Sequence, residues 1–200
     1  MQFTFSQKAI LAFTILYVLG FGVYFLKNFN IEFIGYVVLM FGIFGVLYGT
    51  LHKTKFPTYI LAGISIWGLM HMMGGSIQTA DGVLYTWRIF PFYDGGGEFF
   101  ILKFDQVVHA FLYGVVALMF LHLLNSYFRI QHSRALVFVI AVMAALGVSA
   151  VNEMVEFVAV LTVPGNGVGG YYNTLLDIIF NFSGAVVALL FYTVFSKHKR

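Results

Sequence analysis

The stretch Phe104-Asp-Gln-Val-Val-His-Ala-Phe-Leu-Tyr113 opens an apolar run that continues to about Leu124. The run is long enough to cross a bilayer, yet it begins with Asp105 and His109. Residues four apart lie on one face of a helix, so the carboxylate and the imidazole are expected to reach a common point. A carboxylate in hydrocarbon costs several kcal/mol unless it is paired or bound to a cation. The stretch therefore predicts polar partners elsewhere in the chain.

The composition indicates a membrane protein. Of the 200 residues, 60% are hydrophobic and 10% are charged, and the mean hydropathy is +0.90, whereas soluble chains carry about 25% charged residues. The apolar runs are far longer than barrel strands and do not alternate, which predicts an all-α, polytopic integral membrane protein. The formal net charge of +3 comes mainly from loops and tails, so it indicates topology and not nucleic-acid binding.

Six transmembrane spans are predicted within a single membrane domain, residues 1–200. The spans cover about 8–26, 32–50, 58–76, 105–124, 135–161 and 173–195. Eight basic residues fall on one side of the membrane: Lys8, Lys53, Lys55, Arg129, Arg134, Lys197, Lys199 and Arg200. Only Lys27, Arg88 and Lys103 fall on the other side. By the positive-inside rule both termini are cytoplasmic, and we expect a multi-pass protein of the inner (cytoplasmic) membrane.

The only long connection, residues 77–104, is predicted to lie on the outer side. It combines an aromatic segment, 85–93, with an Asp-Gly-Gly-Gly-Glu turn at 94–98. One interpretation is an interfacial aromatic belt that ends in a flexible turn. The other is a lid over a site beneath it, because long ordered loops often carry function.

The polar residues of the later spans are predicted to lie at one depth, just below the outer surface. Spans three and five end there, and spans four and six begin there. Six ionisable residues are thereby placed together: His71, Asp105, His109, Glu153, Glu156 and Asp177. Three asparagines accompany them, Asn152, Asn173 and Asn181. Since spacings of three and four residues recur within each span, each set shares a helix face.

Such a set of side chains predicts a divalent metal site. Several carboxylates in a low-dielectric bundle are unstable together without a cation. Histidine and carboxylate ligands favour zinc, with iron or manganese as further candidates, and the asparagines are expected to support the ligands. Individually, His71 is also compatible with ordinary packing and Asp105 with a helix cap. Glu153 and Glu156 are compatible with proton sharing.

Four short motifs between about Trp67 and Val187 carry a resemblance to a known family. They are His71 with Gly74 and Gly75, Phe104-Asp105 with His109, Asn152-Glu153 with Glu156-Phe157, and Asp177 followed by Gly184-Ala185. This pattern resembles the YjdF-like family of bacterial inner-membrane proteins and, more distantly, the VanZ-like proteins. The resemblance implies a multi-span membrane protein with a functional site at these residues.

The predicted function is a metal-dependent hydrolase that acts on a membrane lipid or lipid-linked substrate. His71, Asp105, His109, Glu153, Glu156 and Asp177 are the predicted ligands, and Glu156 is also the predicted general base. Two alternatives remain open. One is a proton- or cation-coupled transporter that uses the same carboxylates, and the other is a non-catalytic lipid-binding or assembly factor.

Overall fold

The computed structural model describes residues 3–80, 82–128, 133–163 and 168–196. The chain is mostly helical. The helices are α1 (Phe5–Lys27), α2 (Ile31–Thr54), α3 (Thr58–Ser76), α4 (Phe104–Leu123), α5 (Arg134–Thr162) and α6 (Tyr171–Ser196). A π-helical turn, Leu124–Phe128, extends α4. The six predicted helices are therefore present, and their bounds agree with those of the predicted spans to within a few residues.

Five of the described helices are long and apolar enough to cross a membrane: α1, α2, α4 with its extension, α5 and α6. The remaining helix, α3, has 19 residues and carries His71 together with several glycines and serines. It is long enough to cross, but its polar and small residues make it less apolar than the others. The charge count behind the predicted orientation includes Arg129, Lys197, Lys199 and Arg200, which lie outside the described residues.

The connection 77–104 contains strands that the all-α prediction omitted. β1 (Gln78–Thr79) pairs antiparallel with β2 (Gly82–Val83). β3 (Arg88–Asp94) pairs antiparallel with β4 (Phe100–Lys103), and Arg88 lies opposite Lys103. The aromatic and β-branched residues of 88–94 favour a strand, and the glycines after them, with φ of +84° at Gly96, allow the chain to reverse. The signal for this hairpin was thus present in the sequence.

The helices pack in two groups with different side chains. In the first, α1, α2 and α3 enclose a core of large residues that includes Phe25, Met40 and Trp67. In the second, α4, α5 and α6 enclose a core rich in alanine, and α4 makes its most extensive contact with α6. The backbones of α4 and α6 approach closely where Gly184 faces the Ala110 carbonyl. α3 joins the two groups by packing on both α1 and α4.

Candidate functional site

The first two turns of α4 supply an acid and an imidazole on one face. His109 Nε2 lies 3.6 Å from Asp105 Oδ1 and 3.9 Å from Glu156 Oε1 of α5. Asp105 lies within the first turn of α4, next to His109, and is not the residue that caps the helix. The spacing of four residues thus brings these side chains together as predicted.

A hydrogen bond at its second ring nitrogen, Nδ1, fixes the orientation of the His109 imidazole. Asn181 Oδ1 lies 3.1 Å from His109 Nδ1, and Asn181 Nδ2 donates to Ser149 Oγ over 2.6 Å. Because the amide nitrogen is engaged with Ser149, the amide oxygen is left to accept from Nδ1–H. The Nε2 lone pair of a neutral His109 then faces the acids, which is the arrangement found for metal-ligating histidines.

The face of α6 above Asn181 carries the next acid. Asn173 Nδ2 donates to Asp177 Oδ2 over 2.7 Å and lies 3.4 Å from Asp105 Oδ2. Asp177 is fully buried, and its Oδ1 has no hydrogen-bond partner among the described residues. One oxygen of Asp177 is therefore oriented by Asn173, while the other is available to a ligand.

On α5, the two glutamates have different surroundings. Glu156 Oε1 accepts a hydrogen bond of 2.7 Å from Asn152 Nδ2. Both carboxylate oxygens of Glu153 are buried without a partner in the described part of the chain. A buried carboxylate with two unsatisfied oxygens is costly, so this position calls for a cation or a proton.

Five of the six predicted ligands come together in two overlapping sets. In each set the ligand atoms lie within 4.8 Å of one another: Asp105, His109 and Asp177 in one, Glu153, Glu156 and Asp177 in the other. Asp177 belongs to both. The structure therefore offers three potential ligands to one ion or, through the shared aspartate, sites for two.

His71, the sixth predicted ligand, is absent from both sets in the described part of the chain. The Tyr85 hydroxyl is hydrogen-bonded to His71 Nδ1, and the rings of Phe33, Tyr36 and Trp67 surround the imidazole at centroid distances of 4.8–5.7 Å. Burial and, after it, the charge of Asp105 raise the pKa of the Tyr85 hydroxyl, so it remains protonated. His71 Nε2 has no partner among the described residues.

A cavity of about 410 Å³ connects His71 with the acids. Its polar end is lined by Glu32, His71, Asp105, His109 and Glu156, and the rest of its wall is mainly apolar. The apolar part is formed by α2, α3, α4 and α5 and extends to Leu47 and Leu123. The cavity is therefore amphipathic, with its polar groups at one end.

The charges of the site fit a divalent cation. Four carboxylates, those of Asp105, Glu153, Glu156 and Asp177, meet one imidazole, and no described lysine or arginine forms an ion pair with them. The donor set of imidazole nitrogen and carboxylate oxygen suits zinc, iron or manganese. The unpartnered oxygens of Glu153 and Asp177 supply a second, independent indication.

Three supporting residues were missed by the sequence reasoning. Ser149 precedes Glu153 by one turn on α5, so helical spacing could have indicated it. Gln106 is fully buried, and its Oε1 accepts hydrogen bonds from the backbone N–H groups of Leu102 and Lys103 over 2.6 and 3.0 Å. These bonds join β4 to α4. Tyr85 gave no sequence signal, because its contact with His71 depends on how the connection folds back over α3.

The fold and the site define a multi-helix membrane protein with buried acids and an imidazole between α4, α5 and α6. The chain belongs to the family DUF2238, described as a predicted membrane protein, whose sequence profile matches residues 7–198. Comparison with the curated proteins and with the solved structures returns no match.

Proposed function

We propose that this protein is a metal-dependent hydrolase of the inner membrane that acts on a lipid-linked ester. All six helices cross the bilayer in this proposal, with both termini on the cytoplasmic side. The 19 residues of α3 span roughly 28 Å, close to the hydrocarbon thickness. Packing on both α1 and α4 shields its polar residues from lipid.

The metal part of the proposal is supported above all by the unpartnered oxygens of Asp177 and Glu153 beside an oriented His109. His109 Nε2 and the carboxylates of Asp105 and Asp177 would hold the ion, and Glu153 would approach it through the second set, which shares Asp177. Zinc is the first candidate, and iron and manganese are compatible with the same donors.

The catalytic part depends on Glu156, because this glutamate reaches both the cavity and the ligand cluster. When bound, a divalent cation supplies Lewis-acid polarisation of the ester. Glu156 takes a proton from water as the water oxygen bonds to the carbonyl carbon. It returns that proton to the alcohol oxygen as the ester C–O bond breaks, so an acid and an alcohol are formed. Asn152 orients Glu156 through their 2.7 Å hydrogen bond.

The transporter alternative has less support from the cavity. A proton or cation path would continue with polar groups towards the cytoplasmic ends of the helices. The described cavity wall instead becomes apolar beyond His109, ending at Met119 and Leu123 on α4. The resemblance to the YjdF-like family is consistent with the membrane-protein family to which the chain belongs. Membership of the YjdF-like family itself stays a prediction.

Metal analysis of the purified protein tests the first part. Wild type is expected to contain metal in a fixed ratio to protein, and His109→Ala is expected to lose it. His122→Ala is the matched control, because His122 lies on the same helix but is hydrogen-bonded to the Thr54 carbonyl, outside the cluster. Absence of stoichiometric metal from wild type and from both variants would contradict the proposal.

Ester hydrolysis tests the second part. Wild type in detergent is assayed with a long-chain p-nitrophenyl ester, and Glu156→Gln is expected to retain metal while its rate falls by roughly 10²–10⁴-fold, the usual contribution of a general base. A metal-containing wild type without esterase activity above His109→Ala would leave the metal site standing and refute the hydrolase.

A further inference from the structure

The cavity has an opening on the side of the helix bundle. α2 packs on α1 and less closely on α3, while α5 packs on α4 and α6; α2 and α5 are not a closely packed pair in the described chain. Leu39 on α2 and Val155 on α5 both line the cavity, and both are exposed at its rim, by 42% and 43%. In a bilayer such a gap faces hydrocarbon, so it admits an apolar chain and not a water-soluble substrate.

The dimensions of the cavity fit one chain. Its lining on α2 runs from Glu32 to Leu47, which corresponds to roughly 22 Å along the helix. Its volume of about 410 Å³ is near the lower end of the usual range for ligand pockets, roughly 300–1,000 Å³. A long, narrow and mainly apolar space of this size suits a single hydrocarbon chain whose polar end lies near Glu32.

The charges at the polar end select the kind of lipid. Glu32, Asp105 and Glu156 line this end, and no described lining residue is a lysine or arginine. A single divalent cation would balance only half of the charge of the four clustered carboxylates if all are ionised. An anionic head group would therefore meet repulsion, whereas a neutral or zwitterionic one would not.

His71 provides a donor at the same end. A protonated Tyr85 that donates to Nδ1 leaves the ring proton of a neutral His71 on Nε2. This Nε2–H is buried and lacks a partner among the described residues, and the residue that carries it is part of the cavity wall. An ester carbonyl oxygen is an acceptor that satisfies it without adding negative charge.

We propose that a membrane lipid enters sideways between α2 and α5 and places one acyl chain in the cavity. Its ester carbonyl accepts a hydrogen bond from His71, and its head group carries no net negative charge. This inference rests on the proposed function for its chemistry and narrows the substrate class to carboxylic esters of neutral or zwitterionic lipids. His71 then acts in substrate binding and not as a metal ligand.

Fluorescence of Trp67 tests the inference, because Trp67 lines the cavity and is only 8% exposed. The chain has two tryptophans, and Trp87→Phe leaves Trp67 as the sole tryptophan, which is excited selectively at a wavelength that tyrosine does not absorb. Phosphatidylethanolamine with bromine atoms midway along its acyl chains is added to the full-length variant in detergent. We expect saturable quenching, with half-saturation at roughly tenfold lower concentration than for phosphatidylglycerol with the same chains.

Three further substitutions test the binding route and the hydrogen-bond donor. Val155→Phe at the rim is expected to reduce the quenching severely, whereas Val158→Phe, on an exposed residue one turn along α5 that does not line the cavity, is not. His71→Phe removes the donor and is expected to weaken binding of both lipids about fivefold, the effect of roughly one hydrogen bond. Absence of quenching, equal affinity for the two lipids, or equal effects of the two valine substitutions would overturn the inference.

The quenching experiment can fail or succeed independently of the tests of the proposed hydrolase. Chain binding does not need the ion, so quenching is expected to persist in His109→Ala. Quenching in a protein that never contains metal would refute the hydrolase and keep the lipid site. Stoichiometric metal and esterase activity without quenching would refute the lipid site alone.

Discussion

The two helix groups of this protein are held together in different ways. α1–α3 pack through large side chains and a few hydrogen bonds, such as that between Thr14 Oγ1 and Ser65 Oγ at 2.7 Å. α4–α6 pack through small residues, which let the backbones of α4 and α6 approach closely at Gly184. All five clustered candidate ligands lie in the second group. The comparison indicates that close, rigid packing is used where polar atoms must meet within a few ångströms.

The substitution with the largest expected effect is one that forces α4 and α6 apart. In Gly184→Ala the new Cβ would overlap the backbone of Ala110, which is unable to move without displacing the helix. Overpacking of this kind costs about 1–3 kcal/mol and occasionally more. We expect a lower midpoint of unfolding in detergent and reduced metal content, since Asp177 on α6 would shift relative to His109.

Gly147→Ala on α5 is the matched control. Gly147 is exposed, and a Cβ there meets nothing within 4 Å. Alanine also has the higher helix propensity, so the stability should not fall. Equal losses in the two variants would show that close approach of α4 and α6 is not what holds the site.

A smaller change within the second group removes the support of His109. Asn181→Leu deletes the hydrogen bonds to His109 Nδ1 and Ser149 Oγ. Loss of such support lowers metal affinity about 10–100-fold, and each buried group left unpaired costs about 1–3 kcal/mol. Titration against a competing chelator measures the affinity, and thermal unfolding measures the stability.

Ser183→Ala serves as the control on α6, because Ser183 is exposed and bonds only to the Ile179 carbonyl of its own helix. It should keep the affinity of wild type. If Asn181→Leu also kept that affinity, the orientation of His109 would not depend on Asn181.

The smallest expected effect lies in the first group. Thr14→Val keeps the shape of the side chain but removes its buried hydrogen bond to Ser65, at a cost of about 1 kcal/mol. Metal content should be unchanged, because the first group contributes no residue to the ligand sets. Calorimetry and metal analysis of the same preparation check both statements.

Thr50→Val on α2 is the comparison, since the Thr50 hydroxyl donates to carbonyls of its own helix, those of Val46 and Leu47. It should be closer to wild type than Thr14→Val. Loss of metal in Thr14→Val would show that the two groups are coupled more tightly than their packing indicates.

Much of the site was accessible to sequence reasoning because a buried charge is expensive. Asp105, His109, Glu153, Glu156 and Asp177 interrupt apolar runs, and helical spacing assigned each to a face and a depth. The six helices were predictable from the length and the hydropathy of the apolar runs. The hairpin of 88–103 was not predicted, because a short aromatic run followed by glycines is typical of an interfacial aromatic belt as well as of a strand pair.

The sequence alone determined the helices, the membrane class and the grouping of five polar residues on α4, α5 and α6, since these follow from local periodicity and from the cost of burying charge. Only the tertiary structure decided that Asp177 is shared between two ligand sets and that His71 is enclosed by Tyr85 and aromatic rings. It also decided that α2 and α5 leave a gap at the side of the cavity. These features depend on helix rotation and on which helices touch, and such contacts between distant segments leave no periodic signal in a single chain.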